Sequence, residues 1–347
     1  MLATSVRGLL ARVPKSGDGA TIGTALAEHG VFGLMAPDAA GGLGLGLTDA
    51  LAVATEAGRM QTPFPVIETI AAASLLSRVR PDAVAEILSG AAIATCATGG
   101  EAQISATAKG RARLRGSLTV AFADSARWLA VPVRRSDRND PGPWATIVDL
   151  TGLGPSISAA PELDLTYPMY RVELDYGVEA ADVIEHELQP MLAVLAAAEL
   201  TGAAEHCLDA TVKYLKERVQ FGKVIGSNQA LRHVVADDWV RVQGMHAASE
   251  YAAAAFDAAR NTSGSRLPTE AFRHAAHVAK AYCSSAAREV AEHAIQLHGG
   301  IGFTWEFGLH VPLRRILRLG SSLGTSADHL DTLAAEMLRR DKSNCGA

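Results

Sequence analysis

Apolar positions along this chain recur in two rhythms, and the rhythm changes twice. Up to about residue 90, in TIGTALAEHGVFGLMAP, LTDALAVATEAGRM and VIETIAAASLLSRV, apolar residues return every three or four positions, the spacing of one helix face. The Gly-rich PDAAGGLGLGL between the first two interrupts helix, and Thr48 and Asp49 stand where they can cap the helix that follows. The opening MLATSVRGLLARVPKSGDG predicts a first helix; it lacks the long apolar core and cleavage site of a signal peptide. From 91 to 184 the segments shorten. AAIATCAT, QISATAKG, ARLRGSLTVAF, WLAVPVRR, WATIVDL and MYRVELDY are rich in β-branched residues and bounded by Gly, Pro, Asp or Ser, which predicts strands of a small antiparallel barrel or sheet. RRSDRNDPGP predicts a hairpin tip.

From about 185 the helical rhythm returns over long spans. LQPMLAVLAAAELTGAAEHCLDATVKYLKERV and NQALRHVVADDWVRVQGMHAASEYAAAAFDAAR predict two helices. Pro268 and Thr269 open a third, EAFRHAAHVAKAYCSSAAREVAEHAIQLHG, and a fourth runs from about Ala327 to Arg340. Four antiparallel helices of this length form a bundle. The expected fold class is α+β: an N-terminal helical domain (1–90), a middle β domain (91–184) and a C-terminal four-helix bundle (185–347).

Composition narrows the function classes. A net charge of −5 gives no electrostatic case for nucleic acid or an anionic membrane. MLAVLAAAEL, at 191–200, is the nearest approach to a membrane span, and Glu187 and Glu199 bound it. Cys96, Cys207, Cys283 and Cys345 lie far apart without metal spacing, which fits reduced thiols in a cytoplasm. His233, His246, His274, His277 and His293 fall on long helices without a His-Glu-x-x-His pattern, so no metal site is expected.

Two stretches hold candidate chemistry. In ERVQFGKVIGSNQALRH a long helix ends at Arg218, Phe221-Gly222 follow, and Gln229 opens the next helix. A guanidinium there can fork onto a pyrophosphate, and Phe221 offers a flat apolar face. In IQLHGGIGFTWEFGLHVPLRRI, Gln296 can address an amide or a ribose, and Gly299-Gly300 let a backbone approach a ligand closely, before an irregular apolar stretch. By residue chemistry alone, the plainer accounts are a helix–helix turn with a solvated arginine and a glycine helix cap. His298 is the one site-adjacent histidine. His310, Arg314 and Arg315 form a basic cluster expected in solvent or between subunits, and Phe303 and Trp305 are expected as core or interface anchors.

Taken together, RVQFGKVIGSNQA followed by QLHGGIGFTWE resembles the acyl-CoA dehydrogenase family. So do LAEHGVFGLMAPDAAGGLGLGLTDALAVATEAGRM and the α–β–α order, so the resemblance covers essentially the whole chain. It implies an FAD enzyme assembled as a tetramer, an acyl-CoA thioester as substrate and an electron-transfer partner. In such enzymes a glutamate takes the α-proton and the β-hydrogen leaves as hydride to the flavin. Arg218 and Phe221 match family residues that contact the FAD of the neighbouring subunit. Gln296, Gly299 and Gly300 match those reaching the adenosine end, and Gln229 a polar position opening the next helix.

The match fails where the family keeps its base. Counting from Gly300, the family's glutamate falls at Leu323, with Gly324, Thr325 and Ser326 in place beside it. The alternative base position, counted back from Phe221, falls at Leu192, and the arginine often beside it at Ala193. Leucine cannot abstract a proton. The Thr-Glu-Pro segment of the middle domain is replaced by Thr98-Gly99-Gly100. What is missing serves a flavin and substrate held by the chain itself; what is retained serves a flavin held next door. The expected function is thus the base-lacking subunit of a heteromeric acyl-CoA dehydrogenase, resembling short subunits of steroid-CoA complexes, with a catalytic paralogue as partner. Two alternatives stand beside it. One is a self-sufficient enzyme with a base relocated to Glu199, Glu205, Glu306 or Asp328, each more plainly a surface or interface charge. The other is a flavin-free structural subunit.

Overall fold

The computed structural model describes residues 2–11, 19–107, 110–136, 142–151, 156–161, 163–262 and 270–344. Expectations for the 137–141 hairpin tip, for Pro268-Thr269 and for Cys345 fall outside these residues. Helices α1 (Leu2–Leu10), α2 (Gly19–Glu28), α3 (Leu47–Met60), α4 (Val66–Val79) and α5 (Pro81–Leu88) come first. Capping of α3 differs from the local expectation. Asp49 does accept the Gly46 N–H at 3.1 Å, but the Leu47 and Thr48 N–H groups donate at 2.7 and 3.0 Å to Asp257, 210 and 209 residues away in sequence. The orphan donors of the first turn are satisfied in part by tertiary structure.

Strands β1 (Ile93–Ala106), β2 (Arg111–Ala121), β3 (Ala126–Arg135), β4 (Trp144–Asp149), β5 (Ser156–Ala159), β6 (Met169–Glu179) and β7 (Ile184–Glu185) form one sheet in the order β5-β6-β2-β1-β3-β4-β7. AAIATCAT and QISATAKG, expected as two strands, are parts of a single β1. It runs antiparallel to β2 but parallel to β3, so the sheet is mixed and not purely antiparallel. β1 continues through its glycines because Gly100 (φ +83°) brings its backbone onto Ser117: a Cβ there would lie 2.1 Å from the Ser117 carbonyl oxygen. Around β3 and β4 the sheet buries both faces, while β2 and β6 expose alternate residues; the period-two alternation of β3 divides its two buried faces. Trp128 and Ala130 face the helices, while Leu129, Val131 and Val133 join a second core with β2, β4 and β6.

The C-terminal helical domain contains α6 (Leu188–Glu217), a small hairpin of β8 (Val219–Gln220) and β9 (Lys223–Val224), α7 (Gln229–Thr262), α8 (Glu270–His298), α9 (His310–Ser321) and α10 (Ser326–Asn344). The stretch after the Gly-Gly pair is a short 3-10 segment and turns as far as Leu309, and in place of the irregular chain expected there its later part is helix α9. Its apolar positions are interrupted by Arg314, Arg315 and Arg318, and two of these arginines point inward, which hides the helical rhythm. Helix α6 is long and apolar enough, by composition, to cross a bilayer, against the sequence expectation; its most apolar window is 89% buried inside the protein.

Two features lock the parts together. Helices α3 and α6 cross at reciprocal glycines: a Cβ on Gly202 would lie 1.8 Å from the Thr55 carbonyl oxygen, and one on Gly58 would lie 1.9 Å from that of Glu199. Near the same crossing, Arg315 enters the interior and spends all five N–H donors. Nε–H donates to Asp164, Nη1 to Glu199 (3.0 Å) and the Thr62 carbonyl (3.3 Å), and Nη2 to Thr62 again (3.3 Å) and to the Thr166 hydroxyl (2.9 Å). Arg318 lies 3.7 Å from the centre of the Tyr167 ring, and Tyr167 donates to Glu68 at 2.7 Å. The expectation of an exposed Arg315 is therefore wrong, as is that of a surface charge at Glu199: both are buried and paired. Burial and the nearby Glu199 push the Glu68 carboxyl upward.

Two outcomes are expected in urea unfolding. Gly202→Ala forces α3 and α6 apart and costs about 2 kcal/mol or more, the scale of an overpacked core. Arg315→Met strands the buried Asp164 and Glu199 and costs about 3–5 kcal/mol; a midpoint within error of the parent would show that the cluster does not hold the domains.

Candidate functional site

A cavity of about 960 Å³ lies where the sheet meets the C-terminal helices. Its walls come from β1 at Ala97–Ala102, from β3 and β4 at Pro132–Arg134 and Trp144, from the start of α6, and from α8 and the α9–α10 connection. That volume is at the upper end for a small-molecule or cofactor site. Leu323 and Ala193 line it; Leu192 does not, being wholly buried in the helical core.

The α9–α10 connection has a defined geometry. Leu323 has φ +58°, sparsely populated for a non-glycine residue, and Gly324 follows at φ +97°. The Leu323 N–H donates to the Thr98 carbonyl at 2.8 Å. Thr98 is free to accept because the β1–β2 register slips between Ala97 and Gly99, leaving it as the extra residue of a bulge. Beneath the loop, buried Lys280 donates to Ser284 Oγ (3.1 Å) and to the carbonyls of Gly324 (3.1 Å) and Gly320 (3.4 Å); burial lowers its ammonium to about 8. Loop position is thus fixed from both sides, with an apolar side chain at its head.

The carboxylates that line the cavity all have partners. Glu187 holds Arg273 through both oxygens (2.6–3.1 Å), Glu101 lies 3.5 Å from Arg134, and Asp328 accepts the Thr325 N–H and hydroxyl at 2.8 Å each, capping α10. Of the other carboxylates considered from sequence, Glu199 belongs to the Arg315 cluster. Glu205 is held by Arg59 and by His246 (2.8 Å), which keep its carboxyl below the ordinary range, and exposed Glu306 is not among the lining residues.

The lining also includes His186, His277 and His329; the sequence reading set His277 aside as an ordinary helix residue and passed over His186 and His329. The Nδ1 atoms of His277 and His329 are 2.7 Å apart. No sequence rule pairs residues 52 positions apart on two helices; the signal is visible only once α8 and α10 pack. Burial lowers both, His329 to about 4, and Lys280 adds to that shift. Burial, with Arg78 adding to it, carries His186 down to about 3.

The residues of the two sequence motifs lie elsewhere. A two-residue turn with Phe221 (φ +53°) and Gly222 (φ +74°) joins β8 to β9 and leaves Phe221 98% exposed. Arg218, Gln229, Gln296, Gly299 and Gly300 are exposed as well. The ends of α6 and α8 meet through Tyr214, which stacks on buried His298 at 4.4 Å, with Phe307 4.5 Å from the same imidazole. That stack brings the Arg218–Phe221 hairpin and the Gly299-Gly300 turn to one end of the domain. Gln229 is at the first turn of α7, 3.3 Å from His233. Phe303 (76%) and Trp305 (65%) are exposed and not core, Trp305 resting on His310 and Arg314. Among the described residues, no group of three or more His, Cys, Asp or Glu could hold a metal, and Cys96, Cys207 and Cys283 are buried free thiols.

The chain matches known proteins over most of its length. Residues 183–338 match the acyl-CoA dehydrogenase C-terminal domain and residues 11–80 its N-terminal domain. The chain is 31% identical over 311 residues to the acyl-CoA dehydrogenase IpdE2 of Mycolicibacterium smegmatis, covering 89% of this chain and 85% of that protein. It is 32% identical over 318 residues to the acyl-CoA dehydrogenase FadE34 of Mycobacterium tuberculosis, spanning 89% of this chain but 41% of that protein. Among solved structures, a chain of the Tcur3481-Tcur3483 steroid acyl-CoA dehydrogenase superposes with a TM-score of 0.84 at 24% identity over 98% of both chains. A chain of the ChsE4-ChsE5 complex from Mycobacterium tuberculosis gives 0.82 at 22% identity over 97% and 96%. These two likenesses concern the fold. The N-terminal helices, central sheet and C-terminal helical domain, with the two matched domains and the full-length relative, place this chain in the acyl-CoA dehydrogenase family of FAD-dependent oxidoreductases acting on CH–CH bonds.

Proposed function

We propose that this chain is the subunit without a carboxylate base in a heteromeric acyl-CoA dehydrogenase, and that it completes the FAD site of a catalytic paralogue. The observation that carries this reading is the separation of the two loci. The cavity has Leu323 at its head, Leu192 is sealed in the core, and every lining carboxylate is committed to a partner. The opposite situation holds outside, where an aromatic ring, an arginine, a glutamine and two glycines face solvent.

These outer residues fit a planar, anionic cofactor presented by a neighbour. Around Gly222, Gly299 and Gly300 a Cβ would meet nothing within 4 Å, so a ligand can approach those backbones. Arg218 would fork onto a pyrophosphate, Phe221 would cover a ring face, and Gln296 would hydrogen-bond a ribose or an adenine edge, with Gln229 orienting from the start of α7. Bound FAD supplies the acceptor for the two electrons that leave an acyl-CoA as hydride. A fully exposed Phe221 costs nothing if a second chain covers it, since burying an aromatic ring is favourable by about 2 kcal/mol.

The same reading takes the strands as a middle β domain and α6, α7, α8 and α10 as a four-helix bundle, with domain boundaries near 90 and 184. It assembles the complex as a heterotetramer in the cytoplasm, serving an electron-transfer partner. A steroid-type acyl group is favoured because a solved structural neighbour is a steroid acyl-CoA dehydrogenase and cavities opened by lost side chains suit bulky thioesters.

Flavin absorbance of this chain alone, and of the chain co-purified with its paralogue, tests the proposal. The expected result is a colourless chain and a complex with one FAD for each pair of chains, falling about tenfold in occupancy with Arg218→Ala or Gln296→Ala. A chain that alone holds one FAD per subunit and oxidises an acyl-CoA overturns it, as does a complex without flavin.

A further inference from the structure

The outer residues Arg218, Phe221, Gln296, Gly299 and Gly300 come from two separate helix ends, and one buried imidazole joins them. His298 is the last residue of α8, directly before Gly299, and is 3% exposed. Its ring stacks on Tyr214 of α6, with centroids 4.4 Å and planes 26° apart, and Phe307 meets the same ring at 4.5 Å. The partners of the ring settle its protonation. Nδ1 lies 2.6 Å from the Ala294 carbonyl, which can only accept, so Nδ1 carries the proton. Nε2 is buried with no hydrogen-bond partner among the described residues. A second proton there would bury an N–H and a charge without an acceptor, so the ring is neutral.

From Tyr214 the connection runs into the Arg218 hairpin through the backbone. The Arg218 N–H donates to the Tyr214 carbonyl at 2.9 Å, and the Ile225 N–H donates to the Arg218 carbonyl at 2.9 Å, closing the hairpin. Gly226 lets the chain pass the end of α6: a Cβ there would lie 2.7 Å from the Leu215 carbonyl oxygen. On the other side, Gly302 brings the turn after Gly299-Gly300 back onto α8, where a Cβ would lie 2.7 Å from the Ile295 carbonyl oxygen and 3.1 Å from the His298 Cβ. Each half is thus short and tied to its own helix. The halves meet through the Tyr214–His298 stack and through the Tyr214 hydroxyl, which donates to the His298 carbonyl at 3.5 Å.

We propose that His298, clamped against Tyr214, is a positioning residue for FAD. It holds Arg218 and Phe221 in register with Gln296 and the Gly299-Gly300 backbone, so that the pyrophosphate and the adenosine end are met together. The inference deepens the FAD-completing role and rests on it. His298 does not itself reach the cofactor, since its second nitrogen is sealed. The clamp acts by preorganisation: two segments already fixed relative to each other lose less freedom when the ligand arrives. A plain helix-end hydrogen bond would need the Nδ1–H bond to Ala294 and no ring, whereas a clamp needs the ring.

Two variants separate these roles. His298→Asn keeps a donor near the Ala294 carbonyl and removes the ring; His298→Phe keeps the ring and removes the donor. In the complex with the paralogue, titrated with FAD and followed by flavin fluorescence, H298N is expected to weaken FAD binding about tenfold, Tyr214→Leu to do the same, and H298F to keep most of the affinity. In the chain alone, amide hydrogen exchange over residues 218–225 is expected to quicken in H298N and Y214L and to stay near the parent in H298F, a readout that needs no flavin. The double variant R218A/H298N is expected to lose less than the product of the two single losses, because both act through Arg218. A loss in R218A without one in H298N or Y214L overturns this proposal alone, as do equal losses in H298F and H298N or losses that multiply in the double variant. An R218A complex that binds FAD as tightly as the parent overturns the FAD-completing role, and this proposal with it.

Discussion

The guanidinium of Arg315 is the interaction on which the rest of the structure depends. It leaves α9, near the end of the chain, and satisfies groups from three separate regions: the Thr62 carbonyl after α3, Asp164 and Thr166 before β6, and Glu199 in the middle of α6. Only arginine has a rigid fork with enough donors for this task. Two arginines here face Asp164 and Glu199, and burial together with Glu199 pushes the neighbouring Glu68 carboxyl upward. Such a cluster gains little over an apolar core of the same shape, but it tolerates no missing member. It therefore enforces one relative placement of helices and sheet.

That placement creates the cavity. With α9 anchored at Arg315 and Arg318, the chain turns at Leu323 and Gly324 directly over β1, where the bulge at Thr98 supplies a carbonyl and Lys280 ties down the loop from below. The backbone frame for a residue directed at a ligand is complete while the residue itself is leucine. Polar chemistry in the cavity is consequently redistributed. Carboxylates are neutralised by Arg273, Arg134 and the α10 N-terminus, and imidazoles are kept uncharged by burial.

Much of this was legible in the sequence where local rules apply. Leu188–Glu217, Gln229–Thr262 and Glu270–His298 follow from apolar periodicity, and Trp144–Asp149 and Met169–Glu179 from short β-branched segments. Helix α9 was hidden because its inward face includes arginines, which read as solvent until Asp164 and Glu199 are placed around them. The parallel pairing of β1 with β3 was hidden because strand direction is settled by packing, and β1 was divided because glycines read as turns unless a neighbouring backbone demands them. In the site, Leu323 could be located by counting, since a helix cap and a glycine fix the spacing. The His277–His329 pair could not, because 52 residues separate two histidines that look alike on any helix.

The sequence by itself determined the order of helices, strands and helices, the family resemblance, and the absence of a carboxylate at Leu323 and Leu192, since each depends on residue identity and short-range spacing. Tertiary structure alone decided which charges are buried, which histidines meet, and that Arg218, Phe221 and Gln296 face outward while Leu323 faces the cavity. Those properties depend on what lies within a few ångströms across the chain, and burial, electrostatic balance and hydrogen-bond direction are set there.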